Sequence, residues 1–248
     1  VCLHRYAAHA AFRCGPLTNL ALGILGCFAN QGGPIWWASK HRCHHKFCDG
    51  PDDPHSPNQR SPEAAFSFFT EKRHEDIDER FAPRHCDTPG MRLIDAFSSL
   101  PLILEHVLAY QLFGVTGLWV SYVSAWMCQG ATLWFNVISH TGRSETTVTD
   151  LSATTPLSEP AVVKGCQASD SFGWRLPSPM FLPLQLLVVT IFPFIGEKSH
   201  KHHHDSPGLA RRPGPDLPYH LLVRPLEAVG LVRACKVEPQ SPRVVARA

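Results

Sequence analysis

Nine of the fifteen histidines in this chain fall into four short clusters. His4 and His9 are spaced H-x-x-x-x-H in HRYAAH, and His41, His44 and His45 form H-x-x-H-H in HRCHH. His140 follows Asn136 by one helical turn in NVISH, and His200, His203 and His204 repeat H-x-x-H-H in HKHHH. Imidazole nitrogens bind transition metals, and one ion takes four to about six donors. Nine rings are too many for one ion and suit two. The pattern predicts a dinuclear, all-histidine metal site built from His4, His9, His41, His44, His45, His140, His200, His203 and His204.

Helical geometry indicates how the rings divide. At about 100° per residue, side chains three or four apart lie within about 60° of each other. His41 therefore shares a face with His44 and His45, and His200 with His203 and His204. Adjacent residues point about 100° apart, so each H-H doublet is expected to send its two rings to different ions. His4 and His9 diverge by about 140° on a straight helix, so they should serve different ions or straddle a helix end. Asparagine is a poor direct ligand, and Asn136 is expected to hold a metal-bound water.

A single H-x-x-H-H run is as readily a solvated face, but four clusters in one chain argue against that reading. His55, His74, His85, His106, His202 and His220 are expected at the surface or in packing. His202 lies about 160° from His200 on a helix. Cys43 points away from His41 and is expected not to ligate.

The elements that must hold these clusters are apolar. Residues 107–139 contain no Asp, Glu, Lys or Arg, and a spanning helix needs about 20 apolar residues. Two spans are expected, at about 93–113 and 117–139, meeting in a turn over 114–117, with Glu105 and His106 facing protein rather than lipid. Such a hairpin returns the chain to the side it left, which puts the second cluster and His140 on one membrane face. Residues 17–29 are too few to cross, so the first two clusters share that face. Residues 176–196 are uncharged, but Pro177, Pro179, Pro183 and Pro193 favour an interfacial or re-entrant segment over a span. Lys40, Arg42, Lys46, Arg143, Lys198, Lys201, Arg211 and Arg212 gather on the histidine side, which the positive-inside rule makes cytoplasmic.

The expected fold class is an all-α integral membrane protein, with a transmembrane helical hairpin under a cytoplasmic histidine cap that holds two metals. The 248 residues suit one domain, 1–248, and a net charge of +2 gives no sign of a nucleic-acid partner. The nine cysteines are odd in number and contain no C-x-x-C pair, which fits reduced thiols at a cytoplasmic face.

The series HRYAAH, WWASKHRCHHKFCDGPDDPHSP, NVISH and GEKSHKHHH resembles the membrane fatty acyl-CoA desaturases of the stearoyl-CoA, Δ9 type. The likeness runs from the first cluster to PYHLLVRPLEAVGLV, and cluster order, spacing and flanking residues agree. It implies two Fe2+ ions held by the nine histidines, with Asn136 reaching one of them through water. It also implies a further membrane hairpin upstream, so the chain is expected to be partial. Some positions depart from the family pattern. Ser199 stands where an aromatic is usual, His202 where Asn or Phe is usual, the segment SPEAAFSFFTEKRHEDIDERFAPRH is more charged, and residues 146–173 are longer and richer in Ser, Thr and Pro. None of these removes a ligand.

Desaturation removes two hydrogens from unactivated methylenes, beyond the reach of side-chain acids and bases, and an iron pair that activates O2 as co-substrate can do it. Soluble di-iron proteins use Glu and Glu-x-x-His. Here the neutral imidazoles suit an electron-poor, strongly oxidising centre. Trp36 and Trp37 either line an acyl channel or anchor at the interface. Arg42 and Lys46 either meet a phosphate or CoA group or form lipid-facing charge. The resemblance implies a fatty acyl-CoA or acyl-lipid substrate. No H-P-G-G run or nucleotide fingerprint is present, which points to a separate electron donor, a cytochrome b5 or ferredoxin. The membrane would be the endoplasmic reticulum in a eukaryote or the plasma membrane in a bacterium. A related di-iron lipid hydroxylase and a non-catalytic, histidine-rich metal-binding membrane protein are the alternatives. Mid-span ligands would favour a transporter, whereas these flank the spans.

Overall fold

The computed structural model describes residues 1–59, 61–71, 75–140, 166, 168, 179–197 and 200–238. Arg143, Lys198, Ser199, the 146–173 link apart from residues 166 and 168, and positions 176–178 lie outside the described residues. The chain opens with a π-helical turn, Cys2–Ala8, and a two-residue strand β1, Arg13–Cys14. Helices α1 (Pro16–Cys27), α2 (Pro34–Phe47), α3 (Pro62–Phe66) and α4 (Pro89–Ala96) follow. Next come α5 (Leu100–His140), α6 (Leu182–Ile191), α7 (His200–Asp205), α8 (Arg224–Ala228) and strand β2 (Val232–Arg233). The fold is mostly helical; β1 pairs antiparallel with β2, Arg13 opposite Arg233 and Cys14 opposite Val232.

Proline opens α1, α2, α3 and α4, where its fixed φ suits the first turn and its missing N–H is not needed. The start of α2 is held from outside. Asp95 Oδ1 accepts hydrogen bonds from the Ile35 and Trp36 amides at 2.7 and 2.9 Å, placing a carboxylate at the positive end of the helix. Gly33 leaves room for it, because a Cβ there would lie 2.2 Å from Asp95 Oδ1 and 2.6 Å from Asp95 Cα.

Two apolar clusters organise the rest. The first joins Tyr6, Ala7 and Phe12 to Leu22, Ile35, Ala38, Met91 and Val223, packing the N-terminal turn against α1, α2 and α4. The second joins Trp134, Phe135 and Ile138 of α5 to Phe181, Leu184, Val188 and Phe192. Trp134 Nε1 donates to Gln185 Oε1 at 2.6 Å inside it. Arg5, buried in the N-terminal turn, donates to Ile195 O, Ala210 O and Asp216 Oδ2 at 2.8–2.9 Å. That network ties the first histidine cluster to the chain on both sides of the last.

Among the described residues, α5 is the one helix long and apolar enough to cross a membrane. Gly114 interrupts it with φ 63° and ψ −153°. Ser121 Oγ donates to Glu105 Oε2, a contact that a straight helix, about 24 Å long over those 16 residues, could not make. The two arms therefore fold back on each other. The first begins at Leu100 rather than near 93, because α4 ends at Ala96, and it is about 21 Å long; the second is about 39 Å. Leu108, Leu112, Phe113, Val115, Trp119 and Val120 are exposed along both arms. α6 is a ten-residue helix flanked by single 3-10 turns, about 15 Å long, so it is too short to span.

Candidate metal centre

The N-terminal π-turn, α2, the end of α5 and α7 bring all nine named histidines together. In one group, His4 Nε2 lies 2.9 Å from His203 Nε2, and His9 Nε2 lies 2.9 Å from His41 Nε2. His45 Nε2 joins them, 3.1 Å from His41 Nε2 and 3.0 Å from His203 Nε2. In the other, His200 Nε2 lies 2.9 Å from His140 Nε2 and 3.2 Å from His204 Nε2. His44 completes it, with ring centroids 4.7 Å from His140 and 5.2 Å from His204. The groups touch where His45 stacks on His204 at 4.3 Å.

Each doublet is split between the groups. His44 and His204 face one, and His45 and His203 the other. Within each box the i,i+4 pair stays together, His41 with His45 and His200 with His204. His4 and His9 sit in the same group. A π-helical turn, with its i→i+5 hydrogen bonding, brings residues five apart to one face, and His9 caps that turn.

The ring contacts fit a bound cation. A neutral imidazole nitrogen carries either one hydrogen or one lone pair. Yet the Nε2 atoms of His41, His45, His200 and His203 each face two other ring nitrogens. Three rings have their other nitrogen opposite a carboxylate. His44 Nδ1 is 2.8 Å from Asp53 Oδ2, His140 Nδ1 3.1 Å from Asp49 Oδ2, and His4 Nδ1 3.4 Å from Glu197 Oε1. Those partners place the hydrogen on Nδ1 and leave Nε2 as a bare lone pair aimed at other nitrogens. Lone pairs pointed at one another in a buried site call for a positive ion between them.

Burial keeps eight of these rings neutral, as ligation requires. Removal from water holds His9, His41, His44, His200 and His203 well below the ordinary histidine pKa, with neighbouring imidazoles adding to the effect. His45 is lowered to about 3 for the same reasons, and His204 is lowered too. His4 is also lowered by burial, which outweighs Glu197. Burial works to raise the Glu197 carboxyl, but His4, Arg212 and Arg5 together hold it at about 2.

The carboxylates are the functional residues that sequence reasoning left without a role. After α2 ends, Asp49 adopts φ 60°, a left-handed conformation that Asp tolerates, and the chain doubles back. Asp49 Oδ1 accepts from Ser56 Oγ and Asn58 Nδ2 at 2.6 and 2.8 Å, and Asp53 accepts from the amides of Asp49 and His55. These bonds fix both carboxylates behind their histidines. The signal was the CDGPDDPHS run itself, acidic residues within twelve positions of three clustered histidines. His55 is buried and stacks on His44 at 4.3 Å; His44, Asp53 and His55 also form a possible metal-holding group.

Other expected residues fall as follows. Asn136 is half-buried and lines a narrow cavity of ≈ 20 Å³ with Trp36, Trp37, His41, Phe68 and Leu133. Gln31, Trp36, Phe69 and Gln129 also border an outer groove of ≈ 620 Å³. Trp37 stacks on His41 at 4.7 Å and donates from Nε1 to Gln31 Oε1 at 3.0 Å, so it braces a ring of the cluster. Arg42 and Lys46 line neither cavity; Arg42 Nη1 reaches Ala8 O at 3.5 Å, and Lys46 is exposed. His202 turns away from the cluster to Glu238 Oε1 at 2.5 Å. The expectation of reduced thiols is corrected at one pair, because Cys48 and Cys166 form a disulfide. The end of α2 carries Cys48 to the edge of the cluster, where Cys166 meets it, a pairing across 118 residues that spacing could not reveal.

No family model matches the chain. It is 50% identical over 56 residues, 23% of its length, to a hex-5-enoyl-(acyl-carrier protein) acetylenase of Moorena producens (strain JHB), of which the match covers 17%. It is 44% identical over 59 residues, 24% of its length, to delta-9 acyl-lipid desaturase 1 of Arabidopsis thaliana, covering 19% of that protein. An acyl-CoA 5-desaturase of Anemone leveillei is 44% identical over 54 residues, 22% of this chain and 17% of the relative. The chain thus matches less than a fifth of each of these relatives, and the desaturase family fits as a partial match.

Proposed function

We propose that this chain carries the metal-binding core of an O2-dependent membrane fatty acyl desaturase. It would insert a cis double bond, at Δ9, into a saturated acyl chain. The observation that carries the reading is the pair of touching imidazole groups, each with bare ring nitrogens converging in a buried site. The similarity to desaturases adds the reaction class.

His4, His9, His41, His45 and His203 would hold one iron, and His44, His140, His200 and His204 the other. When bound, the iron pair supplies the O2 activation and oxidising power that hydrogen removal from a methylene demands. Asp49, Asp53 and Glu197 orient their histidines and keep each Nε2 free of a proton. Asn136, one turn before His140, holds a water toward the second group. Trp36 and Phe69 line both the outer groove and the narrow cavity beside His41, and an acyl chain would reach the metals past them. The arms of α5 enter the bilayer as a hairpin with the histidines on the cytoplasmic side, and α6 lies at the interface. The substrate would be an acyl-CoA or acyl lipid, and electrons would come from a separate cytochrome b5 or ferredoxin.

The test is expression of the full-length protein in a desaturase-deficient yeast, with fatty-acid profiling and elemental analysis. A Δ9 monounsaturated product and two irons per chain are expected. A hydroxylated product would overturn the desaturase assignment, and a single tightly bound zinc with no iron uptake would overturn the di-iron centre.

A further inference from the structure

At the edge of the second imidazole group, where Cys166 Sγ lies 3.4 Å from His204 Nδ1, a further set of ligand atoms comes together. Cys48, Asp49, His140 and Cys166 each present one donor, all within 4.8 Å of one another. Cys48 Sγ lies 3.5 Å from Asp49 Oδ2 and 3.9 Å from His140 Nδ1, and those two are 3.1 Å apart. Around a tetrahedral zinc-type ion, bonds of about 2.0–2.3 Å place neighbouring ligands about 3.3–3.8 Å from each other. The set has the composition of a soft-metal site, two sulfurs, one imidazole and one carboxylate. As the structure stands, the two sulfurs are joined to each other, and neither is a thiolate.

We propose that Cys48, Cys166, Asp49 and His140 Nδ1 form a redox-gated site for a soft divalent cation such as zinc or cadmium. A thiol reductant supplies two electrons and two protons, the S–S bond breaks, and two thiols result. Binding of the cation then releases both thiol protons and the His140 Nδ1 proton to solvent, leaving that ring an imidazolate between the two sites. The disulfide closes the site and reduction opens it. The site is independent of the desaturase reading but shares one residue with the histidine cluster. A cation on His140 Nδ1 takes that nitrogen from Asp49, so filling the outer site alters the ring that the inner group uses through Nε2.

The experiment titrates Cd2+ into the iron-loaded, full-length protein, before and after treatment with a phosphine reductant. The readout is the ultraviolet thiolate-to-cadmium charge-transfer band. Reduced protein is expected to show a saturable band that oxidised protein lacks. Cys48→Ser and Cys166→Ser should each lower cadmium affinity at least about tenfold. Seven other cysteines are free, so the double variant measures their background. A band of equal strength in the reduced double variant, or no band in the reduced wild type, would overturn the proposal. Iron content read on the same samples reports separately on the histidine centre, so failure of one reading does not disguise failure of the other.

Discussion

Asp49 and His140 lie 91 positions apart in sequence and meet in a fully buried contact, Oδ2 to Nδ1, at 3.1 Å. The carboxylate fixes which ring nitrogen carries the hydrogen and aims the other at His200 Nε2. Removing such an outer partner typically costs 10–100-fold in metal affinity, so Asp49→Asn is expected to weaken iron binding by roughly that factor. His140 should remain in place, and circular dichroism should be unchanged. An iron-binding isotherm matching wild type would remove Asp49 from this role.

The run HKHHH holds three rings that join the cluster and one that turns away from it. Alanine at His200, His203 or His204 is expected to abolish unsaturated fatty-acid yield at matched expression, because each ring faces at least one other in the cluster. His202→Ala should keep most activity, since His202 points to Glu238. Loss in His202→Ala with retention in His203→Ala would reverse the register assigned to α7.

Acidity should destabilise the metal-free protein early. Burial lowers the folded pKa of His9, His41, His44, His200 and His203, and brings His45 to about 3. As pH falls through about 6.5, these rings pick up protons in the unfolded chain while they stay neutral in the folded one. The unfolded state then binds more protons, so stability falls with pH, by up to about 1.4 kcal/mol per pH unit for each fully shifted ring. The stabilising contribution is complete above about pH 6.5 and declines below it. Thermal unfolding followed from pH 8 to pH 5 should show a falling midpoint, and a flat profile would contradict the neutral assignment.

Helix α2 holds three of the nine rings, and its first turn depends on Asp95. Asp95→Ala is expected to cost about 1–2 kcal/mol, as for loss of a helix cap. Gly33→Ala should cost more, because the added Cβ would meet Asp95 backbone and carboxylate together. Denaturant midpoints of the two variants check the order, and a neutral Gly33→Ala would show that the Asp95 contact yields easily.

The residues of the cluster, and the division of each H-H doublet, follow from the sequence by itself, because a 100° step between neighbours is a local property of any helix. The same locality marks the apolar run of α5 and its glycine break. Sequence alone left His4 and His9 undecided, since residues five apart meet only on a π-turn, and that turn is held by packing against α1 and α2. Asp49, Asp53 and Glu197 were equally hidden. A carboxylate becomes a histidine's partner through the path the chain takes after its helix ends, and here that path is set by Ser56, Asn58 and Arg5. The disulfide belongs to the tertiary structure too, because bringing two cysteines together across 118 residues depends on how the whole chain closes around the cluster.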